Sequence, residues 1–488
     1  MTRRVFAVLG ACLMLAVGLA TLAKQDNPPA QGHNVIVVMT DDMRLDDLQF
    51  MPHTLHLLAD RGVTFTQAIS PYPLCCPARA ELMTGQYSHN NGVQGNAWPR
   101  GGYYKLDSSN TLATWLHDQG YETAFLGKYL NQYGMRDEHE VPPGWDLWKG
   151  APKGVYRYYD VTLNQNGHLQ SYPRIYQTYL YDHIGRQMVE HESGSDRPYF
   201  MWLSYVAPHK TPITPPHTRY HHGRWYAPPP AKPDRGTFAG LPPITNPSFN
   251  EADMSDKGRF MRQLPRLTPH RVAVAHQTRI KRIEALQSVD RAVSHLVADL
   301  KRLHEYDDTY LIFISDNGMQ LGEHRWRGKI LGYDESVRVP LIMAGPGIPH
   351  GVVRHQAVTT VDVTTTIADM TNTTPTLKQD GESLLPLATG QKPDTGNRVV
   401  PLEAGPLDNT SKGWLYQGVR SDRYTLLRWG DGEVELYDRK KDRYEVSSVA
   451  DDPAYRKVKR RMLRYLHRLD HCAGKACMAW YGMAPRGQ

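Results

Sequence analysis

Cysteine is scarce in this 488-residue chain, which has only Cys12, Cys75, Cys76, Cys472 and Cys477. Long apolar runs are scarcer still: beyond the first two dozen residues no segment is long and apolar enough to span a bilayer as a helix. There is no internal repeat and no low-complexity tract. Hydrophobic and charged fractions of 40% and 22% are those of an ordinary globular protein, so a fibrous or disordered chain is excluded as well. The length exceeds the size at which one core stops growing, and a large domain with a smaller companion is expected.

What the chain does have begins at its start. Arg3 and Arg4, the apolar run from Val5 to Ala23 and the polar stretch Lys24 to Gln31 read as a secretory signal over residues 1–23, cleaved after Ala23. An uncleaved anchor is the alternative, and Leu9-Gly10-Ala11-Cys12 has a faint likeness to a lipoprotein cleavage site. The expected location is secreted or on the cell-envelope exterior, with no stable membrane association after cleavage and no nucleic-acid partner. Removing the signal takes away two arginines and no acid, so the formal charge falls from +7 to +5, a mild excess that suits a polyanionic substrate. Four cysteines then remain and allow three pairings. In an exported protein the run Cys472-Ala473-Gly474-Lys475-Ala476-Cys477 most simply closes a small loop, leaving Cys75 and Cys76 available for chemistry.

Val35-Ile36-Val37-Val38-Met39 is short, apolar and β-branched, as a parallel strand buried on both faces should be, and it ends in Asp41-Asp42. Tyr310 to Ser315 repeats the arrangement and runs into Asp316-Asn317-Gly318, while Tyr199 to Leu203 leads to Pro208-His209. Three strands thus deliver polar groups at their carboxyl ends, where open α/β sheets place ligands. Leu286, Val289, Val293, Leu296, Val297 and Leu300 share one face of a helix before the Tyr310 strand. The fold class expected is α/β: a large, mostly parallel sheet sandwiched by helices over residues 33–385. A smaller C-terminal α+β domain over residues 396–488 is expected to pair an antiparallel sheet with a helix from Asp452 to about Leu469. The Pro-rich and aromatic stretch from Pro212 to about Pro265 reads as a substrate-facing surface excursion, and Lys378 to Asn397 as a linker.

Asp41, Asp42, Asp316 and Asn317 offer hard oxygen ligands with no nitrogen or sulfur among them, a set suited to Ca²⁺ in preference to Mg²⁺ and ill suited to zinc. In Cys75-Cys76-Pro77-Ala78-Arg79 the proline stands just inside a helix start, where its missing N–H would be unpaired anyway, so Cys75 is expected where helical amides favour an anion.

The pattern Cys-x-Pro-x-Arg at Cys75 resembles the site at which type I sulfatases of the alkaline phosphatase superfamily convert cysteine to formylglycine. The order of Thr40-Asp41-Asp42, the Cys75 motif, Gly120 to Tyr129, Pro208-His209, Ser315 to Gly318 and Gly328-Lys329 is similar to that family's. The resemblance implies a sulfuric ester hydrolase. It implies that a formylglycine-generating enzyme converts Cys75 during maturation, and that the hydrate supplies the nucleophilic oxygen. Asp41, Asp42, Asp316, Asn317 and the converted Cys75 would hold the metal, and Arg79 would fix the hydrate. Lys128, His209 and Lys329 would bind the sulfuryl oxygens, with His209 or Lys329 protonating the leaving alcohol.

Two positions depart from the family pattern. Ala78 stands where many members have Ser, and Leu130 where many have the His credited with expelling sulfate; His89, Asn131 and His324 are the alternatives for that task. Cys75-Cys76 and Lys128-Tyr129-Leu130-Asn131 look like the N-acetylglucosamine-6-sulfatase and heparan sulfate 6-O-sulfatase branch, which implies a sulfated carbohydrate substrate with N-acetylglucosamine-6-sulfate units as the expected target. Aryl or alkyl sulfate hydrolysis, phosphonate or phosphodiester hydrolysis within the same superfamily, and glycan binding without catalysis by an unconverted Cys75 are the competing expectations.

Overall fold

The computed structural model describes residues 32–212, 225–408 and 410–482. The signal segment at 1–23 lies outside the described residues. Numbering only the strands of the two main sheets, the first sheet contains β1 (Asn34–Thr40), β2 (Val63–Phe65), β3 (Glu122–Gly127), β4 (Leu147–Lys153), β5 (Val161–Gln165) and β6 (His168–Tyr172). It is completed by β7 (Tyr199–Ser204), β8 (Thr309–Ser315), β9 (Leu341–Ala344) and β10 (Val352–Arg354), and its order is β10-β2-β9-β8-β1-β7-β3-β4-β5-β6. The centre, β8-β1-β7-β3-β4, is parallel throughout. The flanks are mixed, with β9 antiparallel to both neighbours and β5 and β6 forming an antiparallel hairpin.

The continuous apolar composition of the central strands follows from burial on both faces. Val35, Val37 and Met39 of β1 join one core with α1 (Cys75–Thr84) and α4 (Thr360–Met370). Ile36 and Val38, pointing the opposite way, join the other core with α2 (Gln177–Glu192) and α3 (Pro269–Arg302). The helix expected around Leu286 to Leu300 is therefore the second half of a 34-residue element, whose start is set by Thr268 accepting from the Arg271 amide and by Pro269 in the first turn.

The second sheet contains β11 (Arg398–Ala404), β12 (Tyr416–Arg420), β13 (Tyr424–Trp429), β14 (Val434–Asp438) and β15 (Ala479–Trp480), all antiparallel, in the order β14-β13-β12-β11-β15. One face packs Val399, Val419, Leu426 and Leu436 against Met462, Tyr465, Leu466 and Leu469 of α5 (Arg456–Leu469). The other packs Leu402, Tyr416, Leu427 and Tyr437 against Ile69, Leu331 and Tyr333 of the large body.

Two stretches differ from their sequence reading. The described part of the Pro212 to Pro265 excursion is a strap between the two sheets more than a free loop: the Lys257 ammonium donates to the Val446 carbonyl at 2.6 Å and the Gly258 amide to Glu435 at 2.5 Å. The Lys378 to Asn397 stretch is not a passive linker. It carries a short helix at Leu385–Ala388 and buries Asp380, which accepts from the amides of Tyr87 at 2.9 Å and Gly474 at 2.6 Å. Cys472 and Cys477 are bonded to each other, and Cys76 is a buried free thiol.

Candidate active site

The carboxyl ends of β1, β3, β7 and β8 converge on the N-terminus of α1, because parallel strands in register must all end on the same edge. Thr40 pairs with Ser315 and Gly127 with Ser204, so Asp41-Asp42, Lys128 and Asp316-Asn317 leave the sheet side by side. Gly127 has φ of +106°, and a Cβ there would come within 2.1 Å of the Ser204 carbonyl oxygen, so only glycine lets the chain turn here and aim Lys128 into the site. Asp42 is held in the left-handed region at φ 67°, which aspartate tolerates better than most residues. Its amide donates to Asp316 Oδ1 at 3.1 Å, and its carbonyl accepts from the buried Arg282 of α3.

Cys75, the first residue of α1, is 1% exposed. Its Sγ lies 3.4 Å from Asp41 Oδ1 and 2.6 Å from Lys329 Nζ. Lys128 Nζ is paired with Asp41 Oδ2 and sits 4.8 Å from the centre of the Tyr156 ring, while Lys329 Nζ is paired with Asp42 Oδ1. His209 places Nε2 3.5 Å from Asp42 Oδ2, directs Nδ1 to the Lys210 carbonyl at 2.6 Å and stacks on Tyr156 with ring centres 4.3 Å apart. Arg79 is wholly buried; its Nε donates to Asp316 Oδ2 at 2.9 Å, and one terminal nitrogen donates to the Lys128 carbonyl at 2.6 Å and Ser204 Oγ at 2.7 Å. All nine residues that the sequence nominated for the metal or for chemistry thus meet at one place.

The charges there are strongly coupled. Burial alone would raise the Asp42 carboxyl, but Lys329, His209 and Lys128 pull it far below the usual carboxylate range. Burial and the neighbouring Asp41 raise Asp316. Lys329 is raised against the effect of its burial, by Asp42 first. Burial holds His209 well below the ordinary imidazole value, so it is neutral at neutral pH. Burial, reinforced by Asp41, pushes the Cys75 thiol up to about 12, and as encoded this cysteine is a protonated, unreactive group.

The residues present fit a metal cation. Ligand atoms of Asp41, Asp42, Cys75 and His209 all lie within 4.8 Å of one another. Asp42 Oδ2 and Asn317 Oδ1 are buried oxygens that accept no hydrogen bond, an expensive arrangement unless something electropositive faces them. Both Asp316 oxygens, in contrast, already accept from protein donors: Oδ1 from the Asp42 and Asn317 amides at 3.1 and 2.8 Å, Oδ2 from Arg79.

Leu130 is 4% exposed and belongs to the core. Of the three alternatives for its missing function, Asn131 is at the site, donating to the Tyr156 hydroxyl at 2.8 Å. His324 is buried elsewhere on Glu251 at 2.7 Å, and His89 is held between Glu403 at 2.7 Å and the Cys472 carbonyl at 2.9 Å. Burial opposes charging His89, but Glu403 and the Cys472 carbonyl overcome it and raise its pKa to about 9. Because the folded value lies above the unfolded one, this stabilisation is complete below pH ~6.5 and is lost progressively as pH rises to about 9. His89→Gln is expected to lower stability by on the order of 3 kcal/mol at pH 6, with the difference from wild type shrinking by pH 9 in denaturant titrations, while aryl ester turnover per folded molecule is unchanged. A large loss of kcat without loss of stability would return His89 to the reaction.

Tyr156, Ser204 and Arg282 belong to the site without having been visible as site residues in the sequence. Ser204 ends a buried strand as Ser315 does, a signal that was available. Tyr156 lies in the loop between β4 and β5, and Arg282 arrives from α3, where its guanidinium also donates to the Pro208 carbonyl at 3.2 Å. No local spacing marks either.

A buried helix start aimed at strand ends that carry carboxylates and lysines suits hydrolysis of an anionic ester, and the comparisons give the class. Residues 33–373 match the Sulfatase family and residues 322–471 match the C-terminal region of N-sulphoglucosamine sulphohydrolase. The chain belongs to the sulfatase family. It is 32% identical over 414 residues to the human N-acetylglucosamine-6-sulfatase, covering 81% of this chain and 70% of that one. It is 33% identical over 367 residues to the extracellular sulfatase SULF-1 homolog of Drosophila melanogaster, covering 72% of this chain and 31% of that one. The chain spans between about a third and about half of the length of several curated relatives it matches. Its fold is shared by a solved structure in complex with the substrate D-glucosamine-2-N,6-O-disulfate, at a TM-score of 0.75 and 21% identity, covering 90% of this chain and 97% of that one. The phosphonate monoester hydrolase of Agrobacterium radiobacter shares it too, with a TM-score of 0.69 and 20% identity over 92% of this chain and all of that one. Among the described residues no helix is long and apolar enough to cross a membrane.

Proposed function

We propose that this chain is an exported sulfatase that hydrolyses the 6-sulfate ester of a glucosamine-type sugar in a sulfated glycan. The observation that carries the reading is Cys75 at a buried helix N-terminus, within hydrogen-bonding reach of both Asp41 and Lys329. A thiol raised to about 12 is a poor nucleophile, so the encoded cysteine is ill suited to attack the ester itself, which supports the reading that Cys75 acts as formylglycine. The hydrate would supply the attacking oxygen, and a divalent cation held by Asp41, Asp42, Asp316, Asn317 and the converted Cys75, Ca²⁺ before Mg²⁺, would lower the pKa of that oxygen and polarise the ester.

The chain's own residues do the rest. Arg79 keeps the ends of β3, β7 and β8 in fixed relation, so that the groups delivered by those strands do not drift apart. Lys128 and Lys329 hold positive charge where a sulfuryl group and a departing alkoxide need it, and Tyr156 braces both Lys128 and His209. His209, neutral and with Nδ1 turned to the Lys210 carbonyl, presents Nε2 to the site, whereas Lys329 carries a proton at neutral pH and stands nearest Cys75 Sγ. Proton donation to the leaving alcohol is assigned to His209 or Lys329, the two groups that flank Asp42 at the mouth of the site. We read residues 33–385 as the catalytic unit and 396–488 as the second domain.

The relatives named N-acetylglucosamine-6-sulfatase support the sugar assignment. Its test is sulfate release from 6-sulfated N-acetylglucosamine, compared with turnover of paired aryl sulfate, aryl phosphate and phosphonate monoester substrates. The expected result is sulfate release from the sugar and preference for sulfate over phosphorus esters. Good aryl sulfate turnover with no release from the sugar or from heparin or keratan fragments would leave the sulfatase class and reject the sugar. A preference for the phosphonate ester would reject both.

A further inference from the structure

Helix α5 breaks the local rules for a stable helix. Its sequence Arg456-Lys457-Val458-Lys459-Arg460-Arg461-Met462-Leu463-Arg464-Tyr465-Leu466-His467-Arg468-Leu469 contains no acid, and its first two turns, at the positive end of the helix dipole, carry five of the cations. Arg456 and Arg460, Lys457 and Arg461, and Arg460 and Arg464 are like-charged pairs at i,i+4 spacing, which repel. The helix is held by its buried face, Met462, Tyr465, Leu466 and Leu469. Arg456, Lys457, Arg460, Arg461 and Arg464 are exposed, and among the described residues none of them has an ion-pair partner. The nearby acids are few: Asp451 pairs with Lys459 at 3.4 Å, Asp452 caps the preceding turn, and Asp470 faces Arg428. Uncompensated local conflict of this kind is where function is expected.

A cavity of about 700 Å³ opens beside this face, lined by Lys392, Arg468, Lys475, Met478, Trp480 and Tyr481, with no acid among its lining residues. Lys392, which is paired with Glu382 at 2.6 Å, lies over the Trp480 ring at 5.6 Å, and Arg461 lies over the Tyr481 ring at 5.2 Å, so ring faces and cations share the rim. Rings beside ammonium and guanidinium groups suit a sugar that carries anionic substituents. The exposed face of α5 has no large apolar residue to insert into a membrane, which disfavours a lipid partner.

We propose that α5 and the adjoining cavity form a second binding surface, separate from the Cys75 site, that holds a run of a sulfated glycan chain while one residue of that chain, or another, is processed. The choice of a sulfated glycan among polyanions rests on the function proposed above; the surface itself rests on the charge and the cavity. The rows of cations along the helix match a linear chain with repeating negative groups, and binding releases counterions, so affinity should fall steeply with salt.

The experiment uses the full chain and a variant with Arg456→Gln, Lys457→Gln, Arg460→Gln and Arg464→Gln, all at exposed positions. Binding to immobilised heparin is measured across a salt series, with duplex DNA and phosphatidylserine vesicles as competing probes. Turnover is followed on a small aryl sulfate and on a long sulfated chain. The expected result is heparin binding by the wild type at physiological ionic strength and at least tenfold weaker binding with a shallower salt dependence in the variant. KM for the long chain should rise while aryl sulfate kinetics stay unchanged. Absence of wild-type binding to heparin overturns the proposal, as does equal binding by the variant, and tighter binding to DNA or vesicles assigns the surface to another partner. Should the fourfold variant fold poorly, Arg460→Gln with Arg464→Gln carries the same comparison with a smaller expected loss. Loss of aryl sulfate activity in the wild type would speak against the catalytic reading alone.

Discussion

Cys75→Ala is expected to lose turnover by at least on the order of a thousandfold while the protein remains folded. Cys75 is absent from the hydrophobic clusters, and the hydrogen-bond partners of its Sγ are Asp41 and Lys329. Its neighbour Cys76 is part of the core beneath the sheet, and Cys76→Ala should cost stability and spare chemistry. Cys75→Ser is expected to fail like the alanine variant. Intact-mass analysis of the active-site peptide from protein matured in its own host should find an aldehyde or its hydrate at position 75. Full activity in Cys75→Ala, or active enzyme carrying only the free thiol, would reject the mechanism. Steady-state kinetics beside circular dichroism separate the catalytic loss from unfolding.

Much of the site is legible in the sequence because its residues follow strand ends. β1 and β8 are marked by apolar runs buried on both faces, so the acids that follow them are placed on one edge by the strand order alone. β12, β13 and β14 were equally legible, as short runs with the Gly430-Asp431-Gly432 turn between the last two, whereas β11 was not. The antiparallel flank was not. β6 is polar and largely exposed, β5 carries only Val161 and Leu163 as alternating core residues, and the clearest mark of the hairpin is Asn166-Gly167, a two-residue turn with positive φ at both positions.

Electrostatic neighbours were harder to read than ligands. Tyr156 meets His209 across 53 positions and Arg282 meets Asp42 across 240, so no spacing rule connects them; only the packing of α3 and the β4 to β5 loop over the same sheet edge does. The metal site shows the same limit at finer scale. Composition nominated four oxygen ligands as equals, yet Asp42 and Asn317 keep buried oxygens without hydrogen bonds while both Asp316 oxygens are already engaged by protein donors. Which donor is spoken for is decided by Arg79 and by two backbone amides, and only three-dimensional contact reveals that.

Arg79 is where the second large effect is expected. Its guanidinium is wholly buried and bonds three different strand ends: Asp316 after β8, the Lys128 carbonyl after β3 and Ser204 at the end of β7. Removing it leaves the Asp316 carboxylate buried beside Asp41 without its principal cation, and breaking a buried pair in this way costs about 3–5 kcal/mol. Arg79→Ala is therefore expected to lower stability by that order and to reduce kcat/KM by on the order of a hundredfold or more. Arg79→Lys separates the two effects. A lysine restores the charge facing Asp316, but its single ammonium cannot reproduce the planar fork that spans the Lys128 carbonyl and Ser204 together with Asp316. Denaturant titration of Arg79→Lys should recover part of the lost stability, whereas turnover should stay close to that of Arg79→Ala, since alignment of Lys128 with the Cys75 site depends on the fork. If the lysine variant regained activity in proportion to stability, Arg79 would serve the site through charge alone, and the strand-clamping role assigned to it would be wrong.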